Sequence, residues 1–218
     1  QALCEKHNLF LIEDAAEAFG SLYQGQYAGS FGDISTFSFF GNKTITTGEG
    51  GMVVSQKEST IQRAAFLKSQ GVSPTQEYWH DEIGFNYRMT NICAAIGVAQ
   101  LEHADSIIEA KRRIANWYQE ELSGLPLSFQ KESSQTVQNY WMISILAENI
   151  DMCDKIRIAL KNVRIETRPF FYPAHIMPIY RCEEVFPVAE NLYPRGISLP
   201  SFPTLTHSQI KDISLKIR

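Results

Sequence analysis

The sequence has 218 residues and a formal net charge of −4 at pH 7, and its length allows one large or two small domains. With 44% hydrophobic and 20% charged residues, its composition is that of an ordinary globular protein. The negative charge gives no electrostatic basis for binding nucleic acid or an anionic membrane. No apolar run approaches the ~20 residues that span a bilayer. We therefore expect neither a nucleic-acid partner nor a membrane partner.

The cysteines indicate a reducing compartment. Cys4, Cys93, Cys153 and Cys182 are widely spaced, and no two of them form a CxxC pair. This spacing predicts reduced thiols, with neither a zinc site nor a disulfide framework. We expect a cytoplasmic protein without a bound metal.

The first apolar run leads into a candidate cofactor residue. Residues 1–7 predict the end of a helix, and residues 9–12 predict a strand buried on both faces that leads to Asp14. In open α/β sheets, ligands bind outside the carboxyl ends of the strands. A carboxylate there pairs well with a protonated pyridine nitrogen. Alternatively, Asp14 caps the helix that follows, and this segment alone leaves both interpretations open.

The next apolar runs, residues 34–40 and 52–55, flank a second candidate. Lys43 lies between the first of these runs and a glycine cluster at 48–51, so we expect its amine in a tight, partly desolvated turn. Desolvation favours the neutral amine, a nucleophile that forms an imine with an aldehyde. The hydroxyl of Ser38 could hold a phosphate nearby. These features predict a pyridoxal phosphate (PLP) site; the alternative is a solvated surface lysine.

The remaining elements divide the chain into two parts. The pattern predicts helices at 57–71 and 91–122, separated by an irregular loop at 71–87. Gly124 and Pro126 break the second helix, which places a domain boundary at 122/123. Beyond it the patterns predict four elements, in chain order: a strand at 140–146, a helix at 151–162, a half-buried strand at 163–168, and a loop at 169–203 with a short helix near its middle.

Several motifs follow one another at characteristic separations. They are IEDAAEA at 12–18, GSFGD at 29–33, FSFFGNK at 37–43, GEGG at 48–51, GFNYRMT at 84–90, and the closing residues 199–200 and 204–206. Ordered motifs are far more specific than a single glycine pattern. In this order they resemble the nucleotide-sugar aminotransferases of the DegT/DnrJ/StrS type, and the resemblance runs through essentially the whole chain.

The resemblance implies an α/β protein of the PLP-dependent, aspartate-aminotransferase-like fold type I. Lys43 would bind the cofactor and later move a proton between cofactor and substrate carbon. Asp14 would face the pyridine nitrogen, and Ser38 would bind the phosphate. Glu17 would lie beside the ring hydroxyl, where many relatives have glutamine. A sister group with histidine in place of the lysine performs dehydration, and Lys43 argues against that chemistry.

The resemblance also implies a substrate and a partner subunit. The amino group would pass from glutamate to the C4 ketone of a nucleotide-linked 4-keto-6-deoxy sugar used for surface polysaccharide, such as lipopolysaccharide O-antigen. Asn86 would reach the cofactor phosphate of the neighbouring subunit in a homodimer with shared active sites; alternatively it makes an Asx turn. Another nucleotide carrier (UDP or dTDP) and a truncated, non-catalytic remnant of the family stay open as alternatives.

Four further residues are candidates for contacting the sugar nucleotide. Arg168, Tyr172 and His175 lie in an aromatic segment like one near the family's sugar pocket, and an arginine there could pair with a diphosphate. Arg88 lies in the turn after Asn86. The alternative is structural: a packed tyrosine, a histidine that caps a turn, and an arginine that bonds backbone carbonyls.

The resemblance implies a substantial stretch before residue 1. That stretch would supply the first helices and strands of the large domain, a phosphate-binding turn and an aromatic residue stacked on the pyridine ring. We therefore expect the C-terminal part of the large PLP-binding α/β domain at 1–122 and a small α+β domain at 123–218. A sheet without its early strands would expose apolar edges, and this chain alone is not expected to be a complete enzyme.

Overall fold

The computed structural model describes all 218 residues, which form two compact units. The first unit comprises residues 1–108 and 133–139, and the second comprises 109–132 and 140–218. The boundary predicted at 122/123 falls at the end of a long helix, whereas the compact units divide within that helix. The reason is that the C-terminal half of the helix supplies core residues to the second unit.

The elements up to the long helix are listed in chain order. They are α1 (Ala2–His7), β1 (Ile12–Asp14), β2 (Leu22–Tyr23), β3 (Gln26–Tyr27), β4 (Ile34–Ser38), β5 (Gly51–Val54), α2 (Glu58–Lys68), α3 (Asn91–Glu102) and α4 (Ala104–Glu121). The elements after it are β6 (Leu127–Phe129), β7 (Thr136–Val137), β8 (Ile143–Ala147), α5 (Ile150–Asn162), β9 (Arg168–Pro169), α6 (Pro187–Leu192), β10 (Gly196–Leu199) and α7 (His207–Ile217). None of these helices is both long enough and apolar enough to cross a membrane.

The main sheet of the first unit has the order β1-β4-β5. β1 and β4 are parallel, with Asp14 opposite Thr36, and β4 and β5 are antiparallel. The strand predicted at 9–12 begins later, and its predicted burial on both faces is wrong, since Phe10 and Ile12 are largely exposed. The physical reason is that β1 lies at the edge of the sheet and its apolar side chains are left uncovered. The expectation of exposed apolar edges is confirmed.

Aromatic packing surrounds the turn that follows β4. The rings of Phe37 and Phe39 meet the ring of Phe19 edge to face, with centroids 6.2 and 6.4 Å apart. Phe39 and Ile45 are buried together with Ala104 at the start of α4. This small core holds both ends of the turn that carries Lys43.

The single helix predicted at 91–122 is in fact two helices. His103 leaves the helical conformation between them, and its carbonyl accepts bonds from the Ser106 hydroxyl and the Ile107 amide. The helix predicted at 57–71 ends at Lys68, because Gln70 takes a left-handed conformation. The irregular loop predicted at 71–87 is confirmed, and Arg63 anchors it through a two-bond pair with the Glu82 carboxylate.

The second unit is an antiparallel sheet with the order β6-β8-β10-β9, packed with α4, α5 and α7 around one core. Apolar residues recur every three or four positions on α5, where Cys153, Ile156 and Leu160 are buried. Thr206 begins α7 with a capping box that includes Gln209. This arrangement buries one face of each helix against the sheet.

Two predictions for the second half are wrong. The strand predicted at 163–168 is absent except for Arg168 at its end. The reason is that Arg164 takes a left-handed conformation, and the Ile165 amide donates to the Leu160 carbonyl at the end of α5. The region predicted as a loop contains β10, whose four residues are all buried between β8 and β9. The short helix expected in that region is α6.

Candidate active site

The carboxyl ends of β1 and β4 bring two candidate residues to one edge of the sheet. Asp14 ends β1 and Ser38 ends β4, and the strands are parallel with Asp14 opposite Thr36. Ser38 therefore lies two residues further along the neighbouring strand, at the same edge. This is the edge at which open α/β sheets bind ligands.

The Asp14 side chain makes a local turn. Its Oδ1 accepts the Ala16 amide at 3.1 Å, and the residue is exposed. No helix follows β1, so the alternative in which Asp14 caps a helix is wrong. The Ser38 hydroxyl accepts the Phe40 amide at 3.4 Å, a long bond that constrains the hydroxyl little.

Lys43 lies in the turn after β4, where its amide donates to the Phe40 carbonyl at 3.0 Å. Thr44 and Ile45 are buried and fix the turn. The Lys43 side chain is only 13% exposed, and its Nζ lies 3.2 Å from Oε1 of Glu17, whose side chain is 54% exposed. The amine is thus largely desolvated, as the sequence indicates, and it faces a carboxylate.

Glu13 is a structural carboxylate that the sequence analysis did not single out. It accepts the amides of Gly29, Phe31 and Gly32 at 2.8, 2.6 and 2.5 Å. Gly29 has a φ of 90°, and a Cβ there would collide with the Phe37 ring. The glycine spacing of the GSFGD motif is the sequence signal for this loop. Glu13, the neighbour of Asp14 in β1, holds the loop against that strand.

Asn139 is a second residue that sequence reasoning missed. Its Nδ2 donates to the carbonyls of Glu17 and Phe19 at 2.9 and 3.0 Å. These partners lie about 120 positions away in the chain, so no local pattern could reveal the contact. The buried Asn139 amide is therefore bonded to the backbone of Glu17.

Asn86 and Arg88 lie elsewhere in the first unit. Asn86 makes an isolated backbone pairing with Ser69, and both Asn86 and Arg88 are exposed. Glu17, in contrast, pairs directly with Lys43. The role of Asn86 at a neighbouring subunit stays a prediction.

The other candidates belong to the second unit. His175 is 11% exposed, and its Nε2 lies 2.9 Å from Oε1 of Glu190, which also accepts the Phe186 amide. The bond from Phe186, together with His175, lowers the pKa of the Glu190 carboxyl. This network favours the structural interpretation of His175. It ties the turn at His175 to α6.

Tyr172 and Arg168 are exposed. The Tyr172 ring lies 5.6 Å from the Tyr193 ring, centroid to centroid. Arg168 lies 3.9 Å from Glu166, and both side chains are mostly solvated. An exposed pair at that distance contributes little to stability.

Comparison with known proteins identifies the family. The model of the DegT/DnrJ/EryC1/StrS aminotransferase family matches residues 1–218. The chain belongs to this family. GDP-perosamine synthase of Escherichia coli O157:H7 is 54% identical over 95% of this chain and 57% of that protein. GDP-perosamine synthase of Vibrio cholerae is 52% identical over 97% of this chain and 59% of that protein.

Solved structures confirm the fold-type-I expectation for this family member. Helicobacter pylori PseC, an aminotransferase involved in pseudoaminic acid biosynthesis, is 26% identical with a TM-score of 0.91, over 99% of this chain and 60% of that one. The chain thus spans less than two thirds of the length of the relatives that it matches. The resemblance seen in the ordered motifs is confirmed.

Proposed function

We propose that this chain carries the lysine-bearing part of a PLP-dependent sugar aminotransferase. The observation that carries the proposal is the Lys43 amine, largely buried 3.2 Å from Glu17 and following the sheet edge formed by Asp14 and Ser38. Family membership supports the same chemistry. The proposed reaction moves an amino group from glutamate to the 4-keto carbon of a nucleotide-linked 4-keto-6-deoxy sugar.

The side chains at this edge fit PLP by their chemistry. A largely desolvated amine suits an aldehyde, a carboxylate suits a protonated pyridine nitrogen, and a weakly bonded hydroxyl suits a phosphate. Lys43, Asp14 and Ser38 would hold these three parts. When bound, PLP supplies the electron sink that makes transfer of an amino group possible.

The Glu17 carboxylate orients the Lys43 amine. Nucleophilic attack and proton abstraction both need this amine held in place. Because the Glu17 side chain is half exposed, water screens the ion pair and keeps it weak. Glu17 can therefore orient the amine without binding it strongly.

The favoured substrate is GDP-4-keto-6-deoxymannose, with GDP-perosamine as product. The two relatives named GDP-perosamine synthase, each more than half identical to this chain, support this choice. The exposed Arg88, Arg168 and Tyr172 are the proposed contacts to the sugar nucleotide. A UDP-linked sugar is the second candidate, since a 35% identical relative from Acidithiobacillus ferrooxidans is named UDP-N-acetyl-3-dehydro-alpha-D-glucosamine 3-aminotranferase.

The cellular setting follows from the reaction. Nucleotide-linked sugars are made in the cytoplasm, so we place the protein there, in the synthesis of surface polysaccharide such as O-antigen. We propose a homodimer in which Asn86 of one subunit reaches the cofactor phosphate held by the other. A neutral amide donor binds phosphate without adding a charge near the lysine.

One experiment tests the cofactor and the lysine together. The purified full-length protein is mixed with PLP, and its visible absorbance is recorded before and after adding glutamate. The complex is then reduced with borohydride and digested for mass spectrometry. We expect a visible band that glutamate shifts, and a pyridoxyl label on Lys43. Lys57→Ala, which removes a different ion-paired lysine, should leave both unchanged. No visible band, or a label spread over surface lysines, would overturn the proposal in favour of a non-catalytic remnant.

A further inference from the structure

The segment 133–139 belongs to the first unit because it pairs with β2. Leu22 lies opposite Val137 and Tyr23 opposite Thr136 in an antiparallel register. The Gln24 amide donates to the Gln135 carbonyl at 2.7 Å. The ladder therefore fixes the chain just before Asn139.

The Asn139 side chain crosses from this segment to the candidate site. It is 6% exposed, and its Nδ2 donates to the Glu17 carbonyl at 2.9 Å and to the Phe19 carbonyl at 3.0 Å. A third, longer contact of 3.5 Å joins Nδ2 to the Thr44 hydroxyl. One amide group thus touches the segment that carries Glu17 and the residue that follows Lys43.

Neither of these segments is held by regular secondary structure. The ladder between β1 and β4 ends before Glu17, and Lys43 lies in a turn beyond β4. The distance of 3.2 Å between Lys43 and Glu17 therefore depends on side chains that cross-link the two segments. A buried amide with two hydrogens suits this task, because it can donate to two carbonyls at once.

We infer that Asn139 is a positioning residue for the candidate site, holding the Glu17 segment and the Lys43 turn in register; its importance for catalysis rests on the proposed function. It acts through the backbone of Glu17 and through the hydroxyl of Thr44. An ionised aspartate at this position would have no donor and would face two carbonyl oxygens. The position therefore requires the hydrogen-bond donor of asparagine, and a side chain of the same volume without a donor would not suffice.

The test measures how well Lys43 is protected. The protein is treated briefly with an acylating reagent at neutral pH, and the labelling rate of Lys43 is compared by mass spectrometry with that of Lys155, which is 74% exposed. In Asn139→Asp we expect Lys43 to label about tenfold faster, as the loss of buried hydrogen bonds implies. Asn149→Ala, which removes the α5 cap in the other unit, is the matched control and should leave Lys43 unchanged.

A second variant keeps the test decisive. If circular dichroism shows that Asn139→Asp does not fold, Thr44→Val removes the hydroxyl contact at nearly constant volume, and we expect Lys43 to label about threefold faster. In the PLP-loaded protein, Asn139→Asp should lower kcat with little change in KM for the nucleotide sugar. Folded Asn139→Asp with wild-type labelling of Lys43 would overturn the inference.

The two proposals fail in different ways. Acylation of Lys43 needs no cofactor, so the labelling result stands even if wild-type protein gives no visible band with PLP. A missing visible band in wild-type protein would overturn the proposed function alone. A wild-type band with unchanged labelling in folded Asn139→Asp would overturn the positioning role alone.

Discussion

The Lys43 amine lies 3.2 Å from the Glu17 carboxylate, with the lysine largely buried and the glutamate half exposed. Solvent therefore reaches one member of the ion pair far more than the other. Because solvent reaches the glutamate, it screens the ion pair, so the contact contributes little binding energy. Such a pair orients the amine without binding it strongly.

Replacing Glu17 by glutamine should preserve function. Glu17→Gln keeps an oxygen that accepts from Lys43, removes the negative charge and adds a donor of the kind the resemblance implies in many relatives. We expect transaminase activity within roughly tenfold of wild type, because an exposed ion pair contributes little. Product formation from a keto-sugar nucleotide and glutamate measures it. A loss as large as that of a lysine variant would show that the charge itself is required.

Removing the lysine should abolish the reaction and spare the fold. Lys43→Ala eliminates the nucleophile and the proton carrier together, which predicts a loss of roughly 10³-fold or more in rate. Circular dichroism and thermal unfolding should stay close to wild type, because no core packing is lost. Lys155→Ala, which removes an exposed pair with Asp151, serves as control. Near-normal turnover of Lys43→Ala would end the assignment.

Asp14→Asn should slow the chemistry while leaving the turn intact. The amide oxygen can still accept the Ala16 amide, so the local structure is kept, but the charge that would favour a protonated pyridine nitrogen is lost. We expect at least a roughly 10²-fold fall in kcat with PLP still retained after gel filtration. Normal kcat would reduce Asp14 to its role in the turn.

Mixing two inactive variants tests the shared active site. In a heterodimer of Lys43→Ala and Asn86→Ala subunits, shared sites place both lesions in one site and leave the other intact. We expect each variant alone to be impaired and co-expressed subunits to regain activity. If both residues act within one subunit, every site carries a lesion and no activity returns. Lys43→Ala mixed with itself provides the baseline.

The stability of the second unit should depend on Lys111 at alkaline pH. Burial lowers the pKa of Lys111 to about 8, and its Nζ donates to the Ser201 carbonyl at 2.8 Å. Below pH 8 both the folded and unfolded states carry the charge, so the cost of burying it is fully present. Between about pH 8 and 10.5 the unfolded state binds the proton that the folded state has released, and the free energy of unfolding rises with pH.

Lys111→Met should remove this pH dependence. We expect the variant to be more stable at pH 7 by roughly 2 kcal/mol, after allowing for the lost bond to Ser201, and the advantage to shrink as pH rises. Urea unfolding at several pH values measures it, with the exposed Lys155→Met as control. Parallel pH profiles for wild type and Lys111→Met would contradict the prediction.

Ordered local motifs were sufficient to predict much of this protein. An apolar run before Asp14, a hydroxyl at Ser38 and a lysine before a glycine cluster predicted the sheet edge and the desolvated amine. Apolar periodicity predicted α5 to within one residue, because one face of that helix is buried. A terminating glycine predicted α2 to within a few residues. The sheet edge, the lysine turn and these helices are each determined by residues that are close together in the sequence.

The tertiary structure alone decided the rest. β10 lies in a proline-bearing region whose pattern resembles a loop, and it forms because β8 and β9 supply hydrogen bonds on both sides. His175 is tied to Glu190 by a contact that no local pattern indicates. Asn139 reaches the Glu17 carbonyl across 122 positions. A single sequence read by periodicity carries no signal for such a pair, because folding alone brings the two residues together.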